Sequence, residues 1–189
     1  MRASQTKILA VAAKLFAENG YSNVSVRDVC RQAGTSAPMI YYYFGDKQGL
    51  FNAAVRDRVS LRGFIDSLRE NTKVGNEEES ISAFIETYLS AFPDEVFDLG
   101  LYTMDTAKLD RKSAERISRD LDEVHRIVAS LVEKGMRSGK FRDTDPWRAA
   151  DCLIGMLNRV VFQRIHFSKS RNMASTKAFI TEFFLRAVT

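Results

Sequence analysis

The chain is predicted to be an all-helical protein in two parts, and three observations lead there. Helix breakers are scarce, with only 3 prolines and 10 glycines in 189 residues. Between them run long stretches rich in Ala, Leu, Arg, Glu and Ser whose apolar residues recur at helical spacing. Turn signals crowd the first fifty residues and thin out beyond residue 70, so a set of short helices is followed by longer ones. At 45% hydrophobic the chain can bury a real core. About nine helices are expected.

The first, residues 4 to 19, places Ile8, Leu9, Ala12, Leu15 and Phe16 on one face. Asn19-Gly20 ends it in the left-handed manner. In "SNVSVRDVCRQAG", Ser25 caps a second helix, with Asp28 three residues on completing an imperfect capping box. Val26, Val29, Cys30 and Ala33 form its inner stripe, and Gly34 closes it. Ser36 stands as the N-cap of a third helix, where Pro38 is harmless because first-turn amides lack helical partners. Ile40, Tyr43 and Phe44 share its inward face. Asp46 caps a long fourth helix from Lys47 to about Glu70. The two short helices joined at Gly34 match the helix-turn-helix unit, in which the second member enters the DNA major groove.

After the polar break "KVGNEEES", a fifth helix over 78–91 carries Ile81, Phe84, Ile85, Tyr88 and Leu89. A sixth segment covers about 94–106. A seventh, Arg111 to Arg137, has the stripe Ile117, Leu121, Val124, Val128 and Leu131. Asp145-Pro146 opens an eighth that runs to about Phe167, and a ninth runs from about Thr176 to the end. The eighth is apolar on nearly every side, so both of its faces need cover. One face meets its own core; the other meets either more of the same chain or its own copy in a partner.

The net charge is +4 and uneven: residues 1–60 hold eight Lys or Arg against four Asp or Glu, and the rest holds twenty of each. The excess sits where a polyanion would bind. The apolar run Ile8–Ala13 is ended by Lys14, far short of a membrane span, and a cytoplasmic location is expected. Cys30 and Cys152 are isolated, and His125 and His166 each lack further spaced ligands, so no metal or other cofactor is expected. "GMRSGKF" has the wrong spacing and context for a phosphate loop. A helical enzyme that merely contains a helix-turn-helix is disfavoured because no catalytic constellation can be assembled.

The outward face of the third helix offers Ser36, Ala37, Pro38, Met39, Tyr41 and Tyr42. From pattern alone the two tyrosines fit equally a tip that donates to phosphates and half-buried surface aromatics. No Arg, Lys, Asn or Gln occurs from Ser36 to Phe44, so the side chains that contact guanine or adenine bidentately are missing there.

The stretch from Ser4 to about Ser60, a third of the chain, resembles the DNA-binding domain of the TetR (tetracycline repressor) family. The matching pieces are "ILAVAAKLFAENGY", "SVRDVCRQAGTS" and "MIYYYFGDKQGLF". The resemblance implies a DNA-binding domain over 1–60 and a ligand-binding, dimerising domain over 61–189. It implies a homodimer on a palindromic double-stranded operator, joined through the last two helices. By position, Ser25 and Arg27 open the second helix, where members of the family touch phosphate and sometimes a base, with Arg27 the one candidate for a guanine, and Thr35 and Ser36 stand at the turn. Ala37, Pro38 and Met39 enter the groove, while Tyr41, Tyr42 and Lys47 hold phosphates. Tyr43 replaces the family's usual histidine. The expected function is repression of transcription relieved by a small-molecule inducer; the alternative is a ligand-independent dimeric regulator or activator. Phe64, Phe84, Tyr88, Tyr102, His125 and Trp147 are candidate pocket residues, each of which also fits ordinary core.

Overall fold

Short helices packed pairwise make up the N-terminal third of the chain. The computed structural model describes residues 2–58, 61–91, 109–167 and 172–189, and among these it contains helices and no strand. They are α1 (Arg2–Asn19), α2 (Val26–Ala33), α3 (Ala37–Phe44), α4 (Lys47–Arg58), α5 (Leu61–Asn71), α6 (Glu77–Ser90), α7 (Arg111–Arg137), α8 (Pro146–Phe167) and α9 (Met173–Val188). The expected fourth helix, Lys47 to about Glu70, is described as α4 and α5 on either side of 59–60, which lie outside the described residues, and the two belong to different compact units. The predicted segment at 94–106 lies outside the described residues.

The chain divides into two compact units, Met1–Ser60 with Asp94–Ile117, and Leu61–Pro93 with Ser118–Thr189. In the first, α1 packs on α2 and α4, and α3 packs on α2 and α4. Its core is the stripe read from sequence, Ile8, Ala12, Leu15 and Phe16, against Val29, Ala33, Ile40, Leu50 and Phe51, all buried. Phe16, Tyr21 and Phe51 form an aromatic triad with ring centroids 5.0 to 5.8 Å apart. Burying each large apolar side chain of this kind is worth about 1.5–3 kcal/mol, which holds helices too short to persist alone.

In the second unit α6 is central, contacting α5, α8 and α9. Its Ile81, Phe84, Ile85, Tyr88 and Leu89 are all buried. Asn76 starts α6 with a capping box to Glu79. "GMRSGKF" proves to be a helix end: the Lys140 and Phe141 amides both donate to the Gly135 carbonyl at 3.0 Å, and Phe141 is buried. A Cβ at Gly135 would stand 2.1 Å from the Phe141 ring, so glycine lets that ring lie on the helix.

Candidate nucleic-acid interface

The interface begins with how α2 is started. Ser25 has an extended backbone, φ −101° and ψ 158°. Its hydroxyl accepts from the Asp28 amide at 3.2 Å, and the Asp28 carboxylate accepts from the Ser25 amide at 3.0 Å and its hydroxyl at 2.6 Å. The expected imperfect capping box is therefore complete. The Ser25 hydroxyl and amide, and then Arg31, hold the Asp28 carboxyl below the ordinary carboxylate range. Arg27, two residues past the cap, is exposed.

Gly34 ends α2 at φ 67° and ψ 41° with its amide bonded to Cys30 O. A residue with a Cβ would pay roughly 1–2 kcal/mol for that left-handed geometry. The Thr35 amide also reaches Cys30 O, at 3.1 Å. One residue later Ser36 is extended and begins α3, its carbonyl accepting from Met39 at 3.1 Å and Ile40 at 3.2 Å. Its hydroxyl makes no cap hydrogen bond, which corrects the expected side-chain cap. Pro38 has no N–H to offer, which removes one of the two amides a cap side chain can accept from. The hydroxyl is left at the exposed tip of the helix.

α3 then separates its two sides sharply. Ile40 is 0% exposed, whereas Met39 is 41%, Tyr41 50% and Tyr42 77% exposed. Ser36 and Pro38 are exposed as well, while Thr35, Ala37, Tyr43 and Phe44 are half-buried. The Tyr43 ring stands against Tyr42 at 5.3 Å and Phe44 at 6.0 Å, so it serves as a brace between outer and inner faces.

Gly45 turns the chain at φ 80°, and Asp46 caps α4 by accepting from the Gly49 amide at 2.6 Å. Lys47 is half-buried with Nζ 4.3 Å from the centre of the Tyr21 ring. Sequence reasoning missed Gly49. A Cβ there would lie 1.9 Å from the Phe44 carbonyl oxygen, so its bare Cα sets how closely α4 leaves α3. All ten residues assigned to DNA lie in the first compact unit, on α2, α3, the turn between them and the first turn of α4.

A polar cluster was also missed. Asp110 starts α7 by accepting from the Ser113 amide at 2.8 Å and hydroxyl at 3.0 Å. It is tied to α4: its amide donates to buried Asn52 Oδ1 at 3.2 Å, and its carboxylate lies 3.4 Å from Arg56. The Ser113 amide, then its hydroxyl and the Arg56 charge, hold the Asp110 carboxyl below the ordinary range. The Asp-x-x-Ser spacing was a legible signal for the cap; the partnership with Asn52 was not.

The candidate pocket residues in the second unit do not all meet. The Tyr88 ring stands 5.5 Å from Phe64 and 5.8 Å from Phe84, and its hydroxyl donates to Asn158 Oδ1 on α8. His125 forms a separate pair, with Nδ1 2.9 Å from Leu121 O and Nε2 3.4 Å from Asp151. Trp147 is 46% exposed on the first turn of α8, and Tyr102 lies outside the described residues. A groove of about 500 Å³ runs between α6 and α9, lined by Ser82, Ile85, Glu86, Lys177, Thr181 and Leu185 among others, and it includes none of the six candidates. Among the described residues no three metal-binding side chains gather, and no helix is long and apolar enough to cross a membrane.

The comparisons with known proteins agree with this anatomy. Residues 8–54 match the family model for bacterial regulatory proteins of the tetR family. Residues 74–162 match that for the tetracyclin repressor-like C-terminal domain. The chain is 26% identical over 144 residues to the HTH-type transcriptional repressor KstR2 of Rhodococcus jostii, covering 73% of this chain and 68% of that protein. Its fold is shared with the TetR family regulator PfmR from Thermus thermophilus, at a TM-score of 0.78 and 23% identity over 95% of this chain and 97% of that one. It is also shared with FadR from Bacillus subtilis, solved in complex with stearoyl-CoA, at a TM-score of 0.72 and 19% identity over 97% and 99%.

Proposed function

The chain belongs to the tetR family of bacterial transcriptional regulators, and we propose that it is a cytoplasmic homodimeric repressor, released from a palindromic operator by a small molecule. The observation that carries this reading is the two-sided α3. Ile40 anchors it in the core while Met39, Tyr41 and Tyr42 stand in solvent, a large apolar exposure on a well-packed element.

In this reading the first turn of α3, Ala37, Pro38 and Met39, enters the major groove. Tyr41, Tyr42, Thr35, Ser36 and the Ser25–Arg27 end of α2 contact the backbone around it, and Lys47 adds a phosphate clamp. Positive charge concentrated in residues 1–60 favours that contact by releasing counterions. The chain binds rather than catalyses.

The inducer lodges in the second unit, where Phe64, Phe84 and Tyr88 meet; His125, paired with Asp151, is not joined to that cluster. Trp147, exposed on α8, suits the dimer interface better than a pocket. Two recognition helices must match one helical turn of DNA, about 34–36 Å. A ligand that alters their separation releases the operator, and a coupling of about 1–3 kcal/mol gives a 5- to 150-fold change in affinity. The bonds from Asp110 to Asn52 and Arg56 link the start of α7 to α4 and so to Lys47.

Selecting fragments of genomic DNA with the purified full-length chain tests the reading. Retention of a small set of sites with two-fold symmetry is expected, reduced by Tyr42→Ala at unchanged thermal stability. Indifference to duplex DNA even at low ionic strength would overturn it.

A further inference from the structure

We infer that this chain selects its operator through the methyl groups of thymine, read by the apolar first turn of α3 and chiefly by Met39. The inference rests on the proposed DNA-binding function and specifies what that site recognises.

Discrimination between base pairs in the major groove comes from two sources at a helix tip: bidentate hydrogen bonds, and apolar contact with the thymine 5-methyl. The first source is missing from α3. From Ser36 to Phe44 the helix carries no guanidinium, ammonium or carboxamide group. The hydrogen-bonding groups it does carry are hydroxyls, of Ser36, Tyr41, Tyr42 and Tyr43. A hydroxyl both donates and accepts, so it bonds every base or a phosphate and separates them poorly.

The second source is present and placed at the tip. Ala37, Pro38 and Met39 are consecutive in the first turn, Pro38 is exposed, and Met39 leaves 41% of its surface uncovered. Ile40 is fully buried and takes no part. The thioether of Met39 is flexible and apolar, able to settle against a methyl without a fixed hydrogen-bond geometry. The Ser36 side chain makes no cap bond that would hold it in one orientation. Outside α3, α2 exposes Arg27, Arg31 and Gln32; Arg31 is paired with Asp28, and Arg27, in the first turn, is taken as the competing reader of guanine.

The experiment uses the full-length chain and duplexes it has selected from a random pool. Each thymine of a selected site is replaced in turn by deoxyuridine, which removes the methyl and leaves Watson–Crick pairing intact. At least one thymine in each half-site is expected to lose roughly fourfold in affinity on that replacement, the value of one buried methyl-sized group. The loss should vanish in Met39→Ala and persist in Met39→Leu, with thermal unfolding confirming that both variants fold.

Tolerance of deoxyuridine at every position overturns the inference with wild-type protein alone, whatever the variants do. So does a methyl effect unchanged in Met39→Ala. A preference for guanine that disappears in Arg27→Ala, without methyl dependence, would assign the reading to α2 instead. Failure to select any duplex is a different result and would overturn the proposed function itself.

Discussion

Lys47 has two neighbours of opposite character: an aromatic ring of its own protein and the phosphate proposed for it. Its ammonium stands 4.3 Å above the Tyr21 ring, a cation–π contact worth about 0.5–1 kcal/mol at an exposed site. That contact aims the charge in advance and lowers the entropy cost of holding a phosphate. Lys47→Gln should therefore weaken all DNA sequences alike and reduce the slope of log K against log salt by roughly one unit. Titrations over a series of salt concentrations measure it; an unchanged slope would remove Lys47 from the interface. Residue-level reading of the sequence worked where the cause was local. The Ser25–Asp28 box was legible because three residues of spacing suffice to form it. The missing side-chain cap at Ser36 was not, since a serine before a helix reads as a cap whether or not its hydroxyl bonds the backbone. Asn52 was not either, since its partner lies 58 residues away.

At the scale of elements, α2 and α3 have eight residues each and depend on their ends. Asp28 is the pH-sensitive part of the α2 cap. Its folded-state pKa is depressed, so its contribution is complete above the ordinary carboxylate value and is lost as pH falls through the depressed one. Unfolding followed down through about pH 4 should show this loss in the native chain. Ser25→Ala should cost about 1 kcal/mol near neutrality and flatten that acid limb. The exit from α3 makes a contrary test. Glycine within a helix normally costs about 1 kcal/mol against alanine, so Gly49→Ala would ordinarily stabilise. Here the added Cβ meets the Phe44 carbonyl oxygen at 1.9 Å, a backbone atom that cannot swing aside. Gly49→Ala should instead lower the unfolding midpoint and weaken operator binding together; a stabilised variant would refute the close approach. Periodicity found the helices, and the stretch from Lys47 to Glu70 is helical on both sides of 59–60, which lie outside the described residues. Apolar spacing continues across residue 60 even though α4 and α5 belong to different units, and spacing carries no information about which core a stripe faces.

For the whole molecule the open matter is what covers the last two helices. The all-round apolar pattern of α8 was legible, and its inner face is now explicit: Ala150, Leu153, Ile154, Leu157 and Val161 are buried within this chain. On α9, Ile180, Phe184 and Val188 are likewise buried, yet Phe179 is 66% and Phe183 54% exposed. Those two rings stack on each other with centroids 6.0 Å apart, forming an aromatic ridge left open by the described residues of this chain. A second copy presenting the same ridge about a two-fold axis would cover it, and a stable pairing needs about 800 Å² from each partner. The double substitution Phe179→Glu and Phe183→Glu places like charges face to face in such an interface while leaving each buried core untouched. Sedimentation should show a dimer for the native chain and a monomer for the variant. The melting temperature should rise with protein concentration only in the native chain, because association stabilises by mass action. Operator affinity should fall by roughly a hundredfold or more, since two tethered half-site contacts become one. A variant that remains dimeric would move the interface off this ridge and leave the groove between α6 and α9 as the next surface to mutate.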